Sequence, residues 1–173
     1  MKKNKSNLLI PAVVIVVLIL ILGFVLMKEN ILDFFKPYPY AMTRIDGFPT
    51  VVASAKKIEK QRAIINSQEE YDNLMKNILD DVTKVKMPSV DFSKSRLLVV
   101  TTSTNDTKGY SIKVKSILKN TEENKLDAVI QLSKPGETCQ NPEESNIAID
   151  MVILEKNNGD VTFDKEEKTV ECK

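Results

Sequence analysis

The distribution of apolar and polar positions divides the chain into one uninterrupted apolar run and a longer patterned remainder. Residues 8–27, LLIPAVVIVVLILILGFVLM, carry no charge, and sixteen of the twenty are Leu, Ile, Val or Phe. At about 1.5 Å rise per residue, a helix over this run spans roughly 30 Å, the thickness of a bilayer's hydrocarbon core. A buried core helix would show a polar stripe, and this run has none. The run is longer than the roughly 7 to 15 apolar residues of a cleaved signal peptide. It is followed by Lys28, Glu29 and Asn30 rather than by a small-x-small cleavage site. An uncleaved transmembrane helix over 8–27 is expected, with residues 1–7 as a basic tail.

Beyond it, residues 28–56 hold ILDFF, KPYPY and DGFP with no sustained period, and they read as a juxtamembrane linker. Phe34, Phe35, Tyr38 and Tyr40 either rest at the lipid interface or pack on the domain, and the pattern leaves both open. Periodicity returns at residues 57–173, the predicted ectodomain. Lys57 to Ile65 is a weak strand candidate. Ser67 and Glu70 have the spacing of a capping box. Tyr71, Leu74, Met75, Ile78 and Leu79 then recur at helical spacing, predicting an amphipathic helix docked on a core.

After Pro88 the period becomes that of strands. Arg96 to Ser103 is short, apolar and β-branched, as a strand buried on both faces requires. Tyr110 to Leu118 and Leu126 to Leu132 alternate, and Ile147 to Leu154 sets Ile147, Ile149, Met151 and Ile153 against Ala148, Asp150, Val152 and Leu154. Asn157, Asn158 and Gly159 signal a hairpin leading into Val161 to Phe163, with a closing strand near Thr169 to Cys172. The predicted fold class is α+β: an N-terminal transmembrane helix, then a small, mostly antiparallel β domain with one packed helix.

Charge fixes the orientation. Lys2, Lys3 and Lys5 precede the apolar run, and by the positive-inside rule the N-terminus is cytoplasmic and residues 28–173 face outward. Of 25 basic and 24 acidic side chains, 22 and 24 fall in residues 28–173, a near balance that argues against nucleic acid as a partner. The chain has no histidine. That removes the commonest general base, the commonest metal ligand and every Ser-His-Asp or Cys-His arrangement, so no cofactor or metal is expected. Cys139 and Cys172 both lie in the outward-facing part, where oxidising conditions favour a disulfide over two free thiols.

The order of motifs from the helix onward resembles the C-terminal domain of the PrcB family, the protease complex-subunit family. Asp91 and Phe92 stand before the apolar strand, Thr107, Gly109 and Tyr110 form the turn leading into an alternating strand, and Val152, Ile153 and Lys156 end a late strand. The turn carries Lys108 where the family often has a small residue. The resemblance implies an exported accessory module without catalysis of its own, partnered with a protease. A second similarity, to chagasin-like inhibitors of cysteine proteases, rests on Asn105, Thr107, Gly109 and Tyr110; the other inhibitory loops of that family are absent, and the chain has no Trp.

The expected function is a membrane-anchored, extracytoplasmic, non-catalytic binding module at the cell membrane, in contact with the bilayer through residues 8–27 and with another envelope or secreted protein. The loop formed by Asn105, Thr107, Gly109 and Tyr110 is its candidate contact, with a protease inhibitor as the alternative. A histidine-free hydrolase would have to rest on a Ser/Lys or carboxylate pair such as Asp80 and Asp81 or Glu143 and Glu144.

Overall fold

The computed structural model describes residues 37–120, 124–157 and 159–172. The transmembrane helix read over 8–27 and the first part of the linker lie outside the described residues. Among the described residues no helix is long and apolar enough to cross a membrane.

In chain order the elements are β1 (Tyr38–Pro39), β2 (Met42–Arg44), β3 (Val51–Ala53), β4 (Arg62–Ile65), α1 (Gln68–Ile78), a 3-10 turn at Val82–Lys84, β5 (Ser95–Thr101), β6 (Asn105–Thr107), β7 (Ser111–Asn120), β8 (Lys125–Pro135), β9 (Glu143–Glu155) and β10 (Val161–Val170). One sheet runs β2-β9-β5-β4, with β3 and β6 also on β9; the other runs β1-β7-β8-β10. The domain is mostly antiparallel, with one helix and one disulfide, as the residue pattern predicts.

β9 and β5 lie at the centre because both of their faces are apolar. Ile147, Ile149, Met151 and Ile153 of β9 join Leu97 and Val99 of β5 under α1, against Tyr71, Met75, Ile78 and Leu79. Ala148, Val152 and Leu154 turn the other way with Leu98 and Val100, onto Ile112, Val114 and Ile117 of β7 and Leu126, Ala128 and Ile130 of β8. Each buried Leu, Ile or Val contributes about 1.5–3 kcal/mol, so these two strands dominate the fold energetically. The result is helix on sheet on sheet.

In β7 the alternation breaks where Ile112 and Val114 are followed by buried Ile117. A bulge between Val114 and Ser116 resets the phase and keeps Ile117 inside. β1 reaches only Leu118 and Lys119, so Val114 lacks a strand partner on that edge. Asp150, set between buried Ala148 and Val152 on the inner face of β9, accepts from the Val114 N–H at 2.7 Å and pairs with Arg44 at 2.6 Å. Arg44 Nη2 in turn donates to the Val114 carbonyl. This ion pair takes the place of a neighbouring strand.

The helix begins as its sequence predicts. Ser67 Oγ accepts from the Glu70 N–H at 3.2 Å. The Glu70 carboxylate accepts from the Asn66 N–H at 2.7 Å, one residue earlier than the standard capping box places it.

Four expectations are corrected. Asn157 to Gly159 makes no hairpin. Near the end of β9, β2 already takes one edge (Met42 with Leu154) and β5 the other (Ser95 with Glu155), so the chain crosses to the second sheet. There β10 pairs with β8 in parallel. The two short closing strands are one strand, Val161–Val170, whose central DKEEK is exposed on both faces and so shows no alternation. The linker read over 28–56 contributes β1, β2 and β3. These are two- or three-residue strands interrupted by Pro and Gly, too short to show a period, and they form because β7 and β9 offer open edges. Of the two readings left open for Tyr40, the structure shows packing on the domain, against the core between the sheets. The weak strand over Lys57 to Ile65 is ordered as a strand only at Arg62–Ile65.

Candidate functional site

Where β4 and β5 run out, side-chain hydroxyls extend their pairing. Thr101 Oγ1 accepts from the Gln61 N–H at 3.0 Å and Ser103 Oγ from the Lys60 N–H at 3.1 Å. This holds Lys60 and Arg62, two positions apart, on the rim of one hollow of about 190 Å3. Its walls come from both sheets: Lys60, Arg62, Thr102, Ser103 and Asn105 on one side, Tyr110, Ile112, Leu132, Lys134 and Lys165 on the other. Four basic side chains line it, and no acidic one does.

The cations divide into two kinds. Lys134 and Lys165 both pair with Glu167, the former at 2.8 Å. Hydrogen bonds from the two lysines push the Glu167 carboxyl down to about 2. Lys60 and Arg62 differ. Lys60 is exposed, and its Nζ has no partner among the described residues. Arg62 is half-buried, which lowers its pKa from the ordinary value by desolvation, yet an arginine stays charged at any physiological pH. Its Nη1 donates to the carbonyls of Gln61 at 2.6 Å and Thr101 at 2.7 Å. Nε and Nη2 are left without a protein acceptor among the described residues. That open edge of the guanidinium is a fork matched to a carboxylate.

The residues of the predicted contact loop separate. Asn105 and Tyr110 line the hollow. Asn105 is fixed there by donating from Nδ2 to Thr102 Oγ1 at 3.0 Å, and Thr102 is itself held by the Ala148 N–H. Thr107 and Gly109 serve the turn instead. The Thr107 carbonyl accepts from Nδ2 of buried Asn146 at 3.0 Å, Lys108 pairs with Glu144 at 2.6 Å, and the Lys108 N–H donates to the Pro142 carbonyl. Gly109 has φ +101°, and a Cβ there would meet the Asn141 side chain at 2.9 Å, so only glycine fits. Tyr110 precedes β7 and is half-buried.

Lys60, Arg62, Ser103, Lys134 and Lys165 were not singled out by the sequence. The only local signal is the two-residue spacing of Lys60 and Arg62, which puts both on one side of an extended chain.

A second hollow, of about 340 Å3, lies between residues 49–53 and the end of α1. It contains Asp80 and Asp81, named above as enzyme candidates. Asp80 accepts from the Ala55 N–H at 2.7 Å and from Ser54 Oγ at 3.3 Å. Asp81 caps the 3-10 turn through the Thr83 N–H and hydroxyl, which hold its carboxyl below the usual range. Of the other carboxylate pair, Glu144 is bound to Lys108. Among the described residues no group of His, Cys, Asp or Glu side chains is arranged to hold a metal ion.

Cys139 and Cys172 form a disulfide with Cα atoms 5.0 Å apart, tying the β8–β9 loop to the residues after β10. No protein-family model, curated protein or solved structure matches the chain.

Proposed function

We propose that the chain is a membrane-anchored, non-catalytic binding module that holds its α+β domain on the outer side of the cell membrane and contacts a protein partner through the Lys60–Arg62–Tyr110 hollow. The anchor is the uncharged run at 8–27 behind Lys2, Lys3 and Lys5. The observation that carries the binding role is a hollow whose rim holds charge that the fold leaves unpaired, beside a half-buried tyrosine. Charged groups bonded inside the domain are committed to the fold, whereas Lys60 Nζ and the Nε/Nη2 edge of Arg62, with no protein acceptor among the described residues, remain available to a ligand. The partner is another envelope or secreted protein, and the resemblance to the PrcB family makes a protease the first candidate.

A photo-crosslinking residue placed at Tyr110 of the full-length, membrane-inserted chain should give a discrete adduct, and the same probe at Lys84, beside the second hollow, should not. Equal labelling at both positions, or none at Tyr110, would refute the assignment. The inhibitor alternative needs the whole 105–110 turn as its contact, whereas Thr107 and Gly109 face Asn146 and Asn141. Added full-length chain should therefore leave papain-like proteases at full activity.

A further inference from the structure

The hollow is specific enough to name what enters it. β4 is the end strand of its sheet, with no strand beyond it among the described residues. An exposed strand edge receives an extended polypeptide by main-chain pairing, and side-chain pockets along it then set specificity. Here those pockets are cationic. Lys60 and Arg62 share one side of the extended chain, so they match residues two apart on an extended partner.

The open donors discriminate among anions. With Nη1 committed to the Gln61 and Thr101 carbonyls, Arg62 retains its Nε and Nη2 side, which forms two parallel bonds to a planar carboxylate. Tyr110, Ile112 and Leu132 add an apolar wall suited to the methylenes of a glutamate side chain. Glu167 engages both Lys134 and Lys165 and offsets one of their two charges, whereas Lys60 and Arg62 on the β4 side pair with no carboxylate among the described residues.

We infer that the hollow receives an extended acidic segment of the partner polypeptide, with carboxylates two residues apart on Lys60 and on the Nε/Nη2 edge of Arg62. This rests on the binding-module reading and specifies the partner's chemistry. The fork requires Arg62 as arginine, and the charge requires Lys60 as a cation; neither follows from a merely basic surface.

The test is a titration of full-length chain in detergent micelles with a fluorescent peptide of alternating glutamate and serine, against its glutamine counterpart. The glutamate peptide should bind and the glutamine peptide should not. Lys60→Glu exchanges an exposed attraction for a repulsion and should weaken binding about tenfold. Arg62→Lys keeps the charge but loses the fork and should also weaken binding about tenfold. Lys84→Glu should leave binding unchanged, and thermal melting of each variant confirms that it is folded. Failure of the glutamate peptide to bind, an unaltered affinity in Arg62→Lys, or displacement by inorganic phosphate at concentrations equal to the peptide would each overturn the inference. A Tyr110 adduct without glutamate-peptide binding leaves the binding module standing and removes its acidic ligand.

Discussion

The Asp80–Asp81 hollow and the Lys60–Arg62 hollow both hold charged side chains and put them to opposite uses. In the larger one, Asp80 and Asp81 accept hydrogen bonds from Ala55, Ser54 and Thr83, and the residues around them are fixed by those bonds. In the smaller one, Lys60 Nζ and the Nε/Nη2 side of Arg62 have no acceptor among the described residues, although Ser103 and Thr101 hold the backbone beneath them in place. Counting satisfied donors and acceptors selects the smaller, because a charge already bound within the fold is expensive to recruit for a ligand, whereas an unpaired one is available.

The two hollows should respond oppositely to substitution. Leu79→Ala, in the wall of the larger hollow and almost fully buried, should lower unfolding free energy by about 2–5 kcal/mol in a denaturant titration and leave the glutamate-peptide affinity of the folded protein unchanged. Asp80→Ala removes the acceptor for Ala55 and Ser54. A loss of about 1 kcal/mol in the same titration is expected, again with no change in peptide binding. Lys60→Ala should do the reverse, moving stability by no more than about 0.5 kcal/mol while weakening the peptide measurably. If Lys60→Ala destabilised the fold as much as Asp80→Ala, the distinction between the hollows would fail.

The smallest effect concerns pH. Glu167 titrates at about 2 in the folded state, below its ordinary value of 4.5. Its contribution to stability is therefore fully present above the ordinary value and is lost as pH falls through about 2. Asp81 and Asp91, lowered by hydrogen bonds from Thr83 and Ser93, act with the same sign. Between these limits the melting temperature of wild type should fall slightly more steeply than that of Glu167→Gln. Parallel curves would show that the Lys134–Glu167–Lys165 group does not stabilise the fold.

The parts legible in the sequence are those where burial imposes a period. Ile147 to Leu154 announces both faces of β9, and Tyr71 to Leu79 announces the docked face of α1, because each position has a single acceptable side. The disulfide was legible from two cysteines in an outward-facing segment. Of β10 only the ends were, since a strand exposed on both faces places no constraint on Asp164 to Lys168. The missing hairpin at Asn157 to Gly159 depended on β2 and β5 already filling the edges of β9, which no local signal reports. The same reason hides most of the hollow. Asn105 and Tyr110 belong to a turn with recognisable chemistry, but Lys60, Arg62, Lys134 and Lys165 meet only through the stacking of two sheets, and each is one of 25 basic residues with no local mark.

The most direct measurement is a charge exchange at Lys60. Full-length wild type and Lys60→Glu are each titrated with the alternating glutamate peptide and with the corresponding lysine peptide, alongside thermal melts. Wild type should prefer the glutamate peptide, Lys60→Glu should lose this preference and gain affinity for the lysine peptide, and both should melt within a few degrees of each other. Equal binding of the glutamate peptide by both proteins would contradict the role of Lys60 in the hollow.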